Sequence, residues 1–194
     1  MSIVVTGATG QLGRLVVESL LARGADPAGI VATGRRTEAL QDLADRGVDV
    51  RRADYADPAS LREALDGAER VLLVSGNEFG QRVAQHTAVV EAAVDAGVSL
   101  LAYTSAPHAA TTPLLLAAEH AATEAVVTAS GLPHVLLRNA WYVENYTAQL
   151  PTYLEHGMVG AAGEGRVSLA LRREYAEAAA TVLLEDGHAG ATYE

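Results

Sequence analysis

The chain has 194 residues, 49% of them hydrophobic, with a formal net charge of −10, no cysteine, and arginine at all 14 Lys-or-Arg positions. That is enough chain for a single domain with a full core, and the acidity disfavours a nucleic-acid partner, because no basic field would hold a phosphate backbone. The missing cysteines exclude disulfides, thiol nucleophiles and cysteine metal sites, and the missing lysines exclude Schiff-base and lysine-base chemistry.

The first apolar run, residues 3–5, reads as a buried strand followed at once by Thr6-Gly7-Ala8-Thr9-Gly10-Gln11-Leu12-Gly13. Strand, glycine turn and amphipathic helix (12–23) come in the order a dinucleotide site requires. Gly7 takes the tight turn, Gly10 lets a pyrophosphate approach the backbone, and Gly13 lets helix and strand pack closely. The helix start then offers free N–H groups and a positive dipole end to phosphates.

Further strands are expected at 30–33, 48–51, 71–74, 99–104 and 134–137. The intervening helices are expected at 37–46 (Thr37 as N-cap), 58–65 (opened by Asp57-Pro58), 82–96 and 113–130. Alternation of this kind makes an α/β fold, a Rossmann-like doubly wound parallel sheet with helices on both faces and strand order 3-2-1-4-5-6. Residues 1–140 form the dinucleotide-binding core, and 141–194 a partial substrate-side region that is not an independent domain. There a helix runs through about 155, glycines 157, 160, 163 and 165 mark loops, 173–184 is helical, and the chain ends on a short strand. The longest apolar runs, 71–74 and 114–116, are far too short to cross a membrane, and a strand starting at residue 3 leaves no secretory leader, so a cytoplasmic protein is expected.

In such a sheet the ligand lies across the C-terminal strand ends. Where NAD-binding chains place an acid on the adenosine ribose, this chain has Thr33-Gly34-Arg35-Arg36. A guanidinium there suits a 2′-phosphate, so NADP(H) is expected over NAD(H), with Arg35 its partner. Asp54 and Tyr55 end the third strand beside the adenine, Asp54 either accepting from its exocyclic amine or capping the next helix. Ser75 and Gly76 let the cofactor pass at the fourth strand. Thr104 and Ser105 lie near the nicotinamide ribose, and Arg138-Asn139 ends the sixth strand. Trp141, Tyr142 and Tyr146 form either an aromatic wall for a planar substrate or plain packing. His120 and Glu124 share a helix face at i, i+4 and are read as a surface pair rather than an acid–base couple. The six histidines are scattered, and no metal site is expected.

These residues resemble the NmrA-like atypical short-chain dehydrogenases, and among them the NAD(P)H:quinone oxidoreductases. The resemblance rests on residues 3–13, Leu101-Ala102-Tyr103-Thr104-Ser105, the helix carrying Glu119-His120 and Glu124, and Ser130-Gly131-Leu132-Pro133. It is most specific in Leu136-Leu137-Arg138-Asn139-Ala140-Trp141-Tyr142-Val143-Glu144-Asn145-Tyr146, followed by Leu154-Glu155-His156-Gly157 and Gly160-Ala161-Ala162-Gly163. It implies hydride transfer from NADPH to a quinone-like planar acceptor. Gly7, Thr9, Gly10, Gln11, Leu12 and Gly13 would hold the pyrophosphate, Arg35 the adenosine end, and Asn139 with Trp141 the nicotinamide. The family dispenses with a Tyr/Lys pair, which suits an acceptor whose reduced anion is stabilised by aromaticity. Placement then does most of the work, with Asn139 or Tyr142 steadying the oxyanion. Leu171 and Glu174 stand where relatives usually carry Thr and Asp, so substrate contacts are expected to differ. Relatives continue past the point matching Glu194, so an open site is expected. A non-catalytic NADP(H)-binding redox sensor acting on a protein partner is the alternative, and a homodimer is left open.

Overall fold

The computed structural model describes residues 1–160 and 163–194. The elements run β1 (Ile3–Val5), α1 (Gln11–Ala22), β2 (Ile30–Gly34), α2 (Gln41–Ala44), β3 (Asp49–Arg52), α3 (Pro58–Leu65), β4 (Arg70–Leu73), α4 (Arg82–Asp95), β5 (Leu100–Ser105), α5 (Leu115–Ala129) and β6 (His134–Arg138). A looser run follows: β7 (Trp141–Tyr142), α6 (Glu144–Thr147), α7 (Leu150–His156) and β8 (Leu169–Ala170). Then come α8 (Arg172–Leu184) and β9 (Thr192–Tyr193). The loop residues Ala161 and Ala162, inside the family-like Gly160–Gly163 stretch, lie outside the described residues.

The main sheet has the order β3-β2-β1-β4-β5-β6-β9, every neighbouring pair parallel. The expected six-strand order is therefore present, with the terminal strand added beside β6. Its two faces follow from the period-2 alternation of strand side chains. Ile3, Val5, Ala32, Leu72, Ala102 and Leu137 point to one side, under α1, α2 and α8. Val4, Val31, Val71, Leu73, Leu101 and Leu136 point to the other, under α3, α4 and α5. Both faces are apolar because both are covered, which is why the strands read as unbroken hydrophobic runs.

Two expected helices are corrected. Residues 37–46 form a 3-10 turn (Thr37–Leu40) and the short α2, and Thr37 caps nothing: the cap position is Arg36, without a side-chain bond. Leu40 and Leu43 are the buried residues of these two pieces, so a longer helix would have no apolar stripe to bury. The helix expected through 155 is broken into α6 and α7. Pro151 stands in the first turn of α7, where its missing N–H is tolerated but cannot extend the ladder from α6. By contrast, Asp57 accepts from Ser60 N at 3.3 Å and caps α3 as read. Among the described residues no helix is long and apolar enough to cross a membrane.

Candidate functional site

A cavity of about 490 Å³ opens over the C-terminal ends of β1 to β4. Its floor is the glycine turn. Gly7 holds φ +62, a conformation other residues rarely adopt. A Cβ on Gly13 would stand 2.5 Å from the Gly7 carbonyl oxygen, and one on Gly10 would stand 3.2 Å from the same atom. Gly34, at the end of β2, is equally constrained: its Cβ would meet the Thr9 methyl at 2.5 Å. The glycine positions thus have no room for a Cβ, Gly10 and Gly13 being closed by backbone and Gly34 by the Thr9 side chain.

The amide of Gly10 is spent on Gly7 O and that of Arg14 on Gly10 O. Those of Gln11, Leu12 and Gly13 find no acceptor among the described residues, and no side chain caps α1. Three unpaired donors at the positive end of a twelve-residue helix face an open cavity, which suits an anion with several oxygens.

Behind this floor the walls are tied down by hydrogen bonds. Val74 N donates to Thr6 Oγ1 at 3.1 Å, Thr6 and Tyr55 share a short hydroxyl bond, and Tyr55 donates to Val74 O at 2.8 Å. Burial drives the Tyr55 phenol well above its ordinary pKa, so it stays a neutral donor. Asp54 lines the cavity with one carboxylate oxygen on Ala56 N at 3.1 Å. Since Asp57 caps α3, the capping alternative for Asp54 is corrected.

Of the residues the sequence singles out, Gly7, Thr9, Gly10, Gln11, Leu12, Gly13, Arg35, Asp54, Tyr55, Ser75, Gly76 and Tyr142 line this one cavity. Thr104 and Ser105 do not. Both are buried, Thr104 Oγ1 accepting from Ser75 N at 2.8 Å and Ser105 donating to Glu124 at 2.6 Å. Asn139 reaches the cavity only through Tyr142, to whose hydroxyl its Nδ2 donates at 3.4 Å. Trp141 is 46% exposed, and neither it nor Tyr146 lines the cavity. The surface-pair reading of His120 and Glu124 is corrected as well, because both are buried. His120 Nδ1 bonds the Tyr103 hydroxyl at 2.7 Å, and Glu124 takes a two-pronged grip from Arg138 at 2.8 and 2.9 Å. Among the described residues no cluster of metal-ligating side chains occurs.

Sequence reasoning missed Arg172 and Glu78, which also line the cavity. Arg172 begins α8, with its backbone N held by the Glu144 carboxylate at 3.0 Å and its guanidinium 4.6 Å from the Tyr142 ring centre. Tyr142 in turn packs edge-on against Tyr175, whose hydroxyl accepts from Ala140 N at 3.0 Å. Glu78 pairs with Arg35 at 3.0 Å across the cavity rim. The distance of Arg172 in sequence from the glycine turn hid the contact.

A sequence pattern of the NmrA-like family matches residues 1–169. Quinone oxidoreductase 2 of Escherichia coli is 51% identical over 193 residues, covering 99% of this chain and 67% of that protein. Among solved structures, the NADPH-dependent quinone oxidoreductase of E. coli complexed with NADPH superposes with a TM-score of 0.93 at 52% identity, over 99% of this chain and 68% of that one. Triphenylmethane reductase of Citrobacter sp. complexed with NADP(H) gives 0.94 at 43% identity, over 100% and 69%. The chain thus spans about two thirds of the length of these relatives.

Proposed function

The chain belongs to the NmrA-like family, and from that membership we propose that it is an NADPH-dependent oxidoreductase that delivers hydride to a quinone-like planar acceptor. The observation that carries the reading is the cavity itself, where three amides without an acceptor among the described residues, over a glycine turn, share one space with Tyr142 and Arg172. The residues present fit NADPH. The amides of Gln11, Leu12 and Gly13 would take the diphosphate, Arg35 the 2′-phosphate, and Asp54, Tyr55, Ser75 and Gly76 the walls around the rest. NADH would lack the phosphate that draws Arg35 away from Glu78.

When bound, the dihydronicotinamide supplies the hydride. The chain's own residues then hold the acceptor in place and offer a hydrogen bond to the oxygen that becomes negative. Tyr142 is placed for the second. Burial pushes its phenol above the ordinary value, although the Asn139 bond and Arg172 work the other way, so the hydroxyl stays protonated and donates rather than ionises. Asn139 donates to the Tyr142 oxygen, which leaves the phenolic proton free to point at an acceptor oxygen. Arg172 beside the ring adds positive charge where an anion forms. No lysine stands by to shuttle a proton, so stabilisation without full proton transfer is the chemistry this set supports.

The test is NADPH consumption, followed by its absorbance, with a panel of benzoquinones and a triphenylmethane dye. The expected result is turnover that prefers NADPH to NADH and loses that preference in Arg35→Ala. Tight NADPH binding with no oxidation by any acceptor would overturn the catalytic reading and leave a dinucleotide sensor in its place.

A further inference from the structure

One residue of the cavity wall, Gly76, is gripped from behind on both its flanking peptide units by two buried side chains that do not touch the turn or the acceptor end. The Gly76 N–H donates to His86 Nε2 at 2.9 Å, and the Gly76 carbonyl accepts from Arg82 Nε at 2.8 Å. Arg82 and His86 stand one turn apart on α4, so they present one face to the same residue. Arg82 is 5% exposed and His86 is fully buried.

Each is itself held. Because Gly76 N–H must donate, His86 Nε2 is the bare nitrogen and Nδ1 carries the proton. That proton goes to Thr123 Oγ1 at 3.0 Å, and the Thr123 hydroxyl donates to Glu119 O at 2.9 Å. Arg82 meets the Glu119 carboxylate at 3.1 Å and lies over the Phe79 ring at 4.9 Å. Burial, with Arg82 and His120 nearby, lowers the His86 pKa to about 3, so the ring remains a neutral acceptor.

A layer whose only task was to hold α4 against the sheet would not be built this way. Much of the same face is filled by Val89, Val90, Leu101 and Val127, and burying ions there is less favourable than burying hydrocarbon of the same volume. What the polar layer adds is a fixed orientation for Gly76. The wall before it is drawn back in the same manner, Ser75 N to Thr104 and Val74 N to Thr6. The last tie to a neighbouring strand is that of Ser75 to Thr104 of β5, and for Gly76 α4 takes over the task.

We propose that Arg82 and His86 are positioning residues for NADPH: by clamping the two peptide units that flank Gly76 they hold the Ser75–Gly76 wall in the shape that accepts the dinucleotide. The inference rests on the NADPH reading above. It makes neither residue a catalytic one, since neither lines the cavity.

The test uses the 194-residue chain and direct NADPH binding by fluorescence, with thermal melting and amide hydrogen exchange on the cofactor-free protein. His86→Phe keeps the volume and removes the acceptor, whereas His86→Gln keeps a carbonyl for Gly76 and an amide for Thr123. Expected are an NADPH dissociation constant raised about tenfold in His86→Phe and in Arg82→Met, with His86→Gln within about threefold of wild type. Hydrogen exchange in the peptide spanning 75–78 should quicken in the first two more than in β1 or β5, and kcat at saturating NADPH should change less than KM. If His86→Phe does not fold, Thr123→Val, which releases the ring and gives up the bond within α5 to Glu119 O, carries the same comparison with a smaller shift. Wild-type protein that fails to bind NADPH would sink the parent reading. Wild-type protein that binds, beside folded variants that bind equally well, would sink the clamp alone.

Discussion

The glycine-turn end of the cavity and the Tyr142 end are built on opposite principles. At the first, position comes from backbone: Gly13 is closed to any Cβ by the Gly7 carbonyl, and the strands beneath are fully buried. At the second it comes from a few side chains on a thin scaffold. No residue of α6 or α7 is buried, and Leu150, Leu154, Leu169 and Leu171 are exposed. What steadies this end is its return to the core. Ala176, Ala179, Ala180 and Leu183 of α8 pack with α1 against the sheet, and Glu144, Tyr175 and Arg172 tie the loose run to that helix. Under the proposed function the difference is a division of labour: binding would reside in a rigid frame, and turnover in replaceable groups that chemistry can adjust.

The harshest way to test that division is Gly13→Val. The new side chain would drive against the Gly7 carbonyl, and backbone on both sides cannot give way. We expect loss of about 3 kcal/mol or more of stability, as in other severe overpacking, together with loss of measurable NADPH binding, read by thermal melting and fluorescence titration. At the other end, Tyr142→Phe keeps the packing on Tyr175 and Arg172 but loses the hydroxyl. A fall in kcat of about ten- to a hundredfold, with NADPH affinity within about twofold, is expected from removing one donor to a developing oxyanion. Equal losses in affinity and kcat would erase the contrast between the two ends.

How the sequence could be read follows the same line. The sheet order, the glycine turn and the strand-end positions of Asp54, Tyr55, Ser75 and Gly76 were legible, because apolar runs and glycines report local backbone rules. Thr104 and Ser105 were legible as strand-end residues but not in direction. Their hydroxyls turn inward to Ser75 and Glu124, a choice made by partners distant in sequence. His120 and Glu124 looked like a surface pair because i, i+4 spacing says nothing of which helix face is covered. In fact Tyr103, Arg138 and Ser105 supply the buried bonds that make that face tolerable. Arg172 and the Gly76 clamp were invisible for a similar reason, since both depend on side chains meeting across the tertiary fold.

Acidification should act on the rigid frame. Burial is the main cause lowering His86 to about 3 and His120 to about 4, while both carry an ordinary value when the chain unfolds. A lowered histidine pKa means that the unfolded chain binds the proton first. Stability is therefore complete above about pH 6.5 and lost as pH falls toward the folded values, with a slope up to about 1.4 kcal/mol per pH unit for each ring. A melting temperature that drops between pH 6.5 and 5, before ordinary carboxylates titrate, is the expected record, and His120→Gln should flatten it. A melting temperature constant over that range would mean that these rings are open to water and that the frame is less rigid than its packing implies.

The gentlest probe is Trp141→Ala. Trp141 sits on β7, paired in register with Leu169, about half exposed and outside the cavity lining. An exposed side chain removed from such a place should move stability by no more than about 0.5 kcal/mol and leave NADPH affinity within about twofold. Any effect should instead appear as a raised KM for the planar acceptor, because β7 carries Tyr142 on the next residue and an indole at its edge is a surface for a flat ring to rest on. A KM for quinone unchanged in Trp141→Ala, beside a kcat reduced in Tyr142→Phe, would assign acceptor recognition to Tyr142 and Arg172 and leave the indole as scaffold only. A raised KM would extend the acceptor end beyond the cavity rim, onto the thin region where the chain is least constrained.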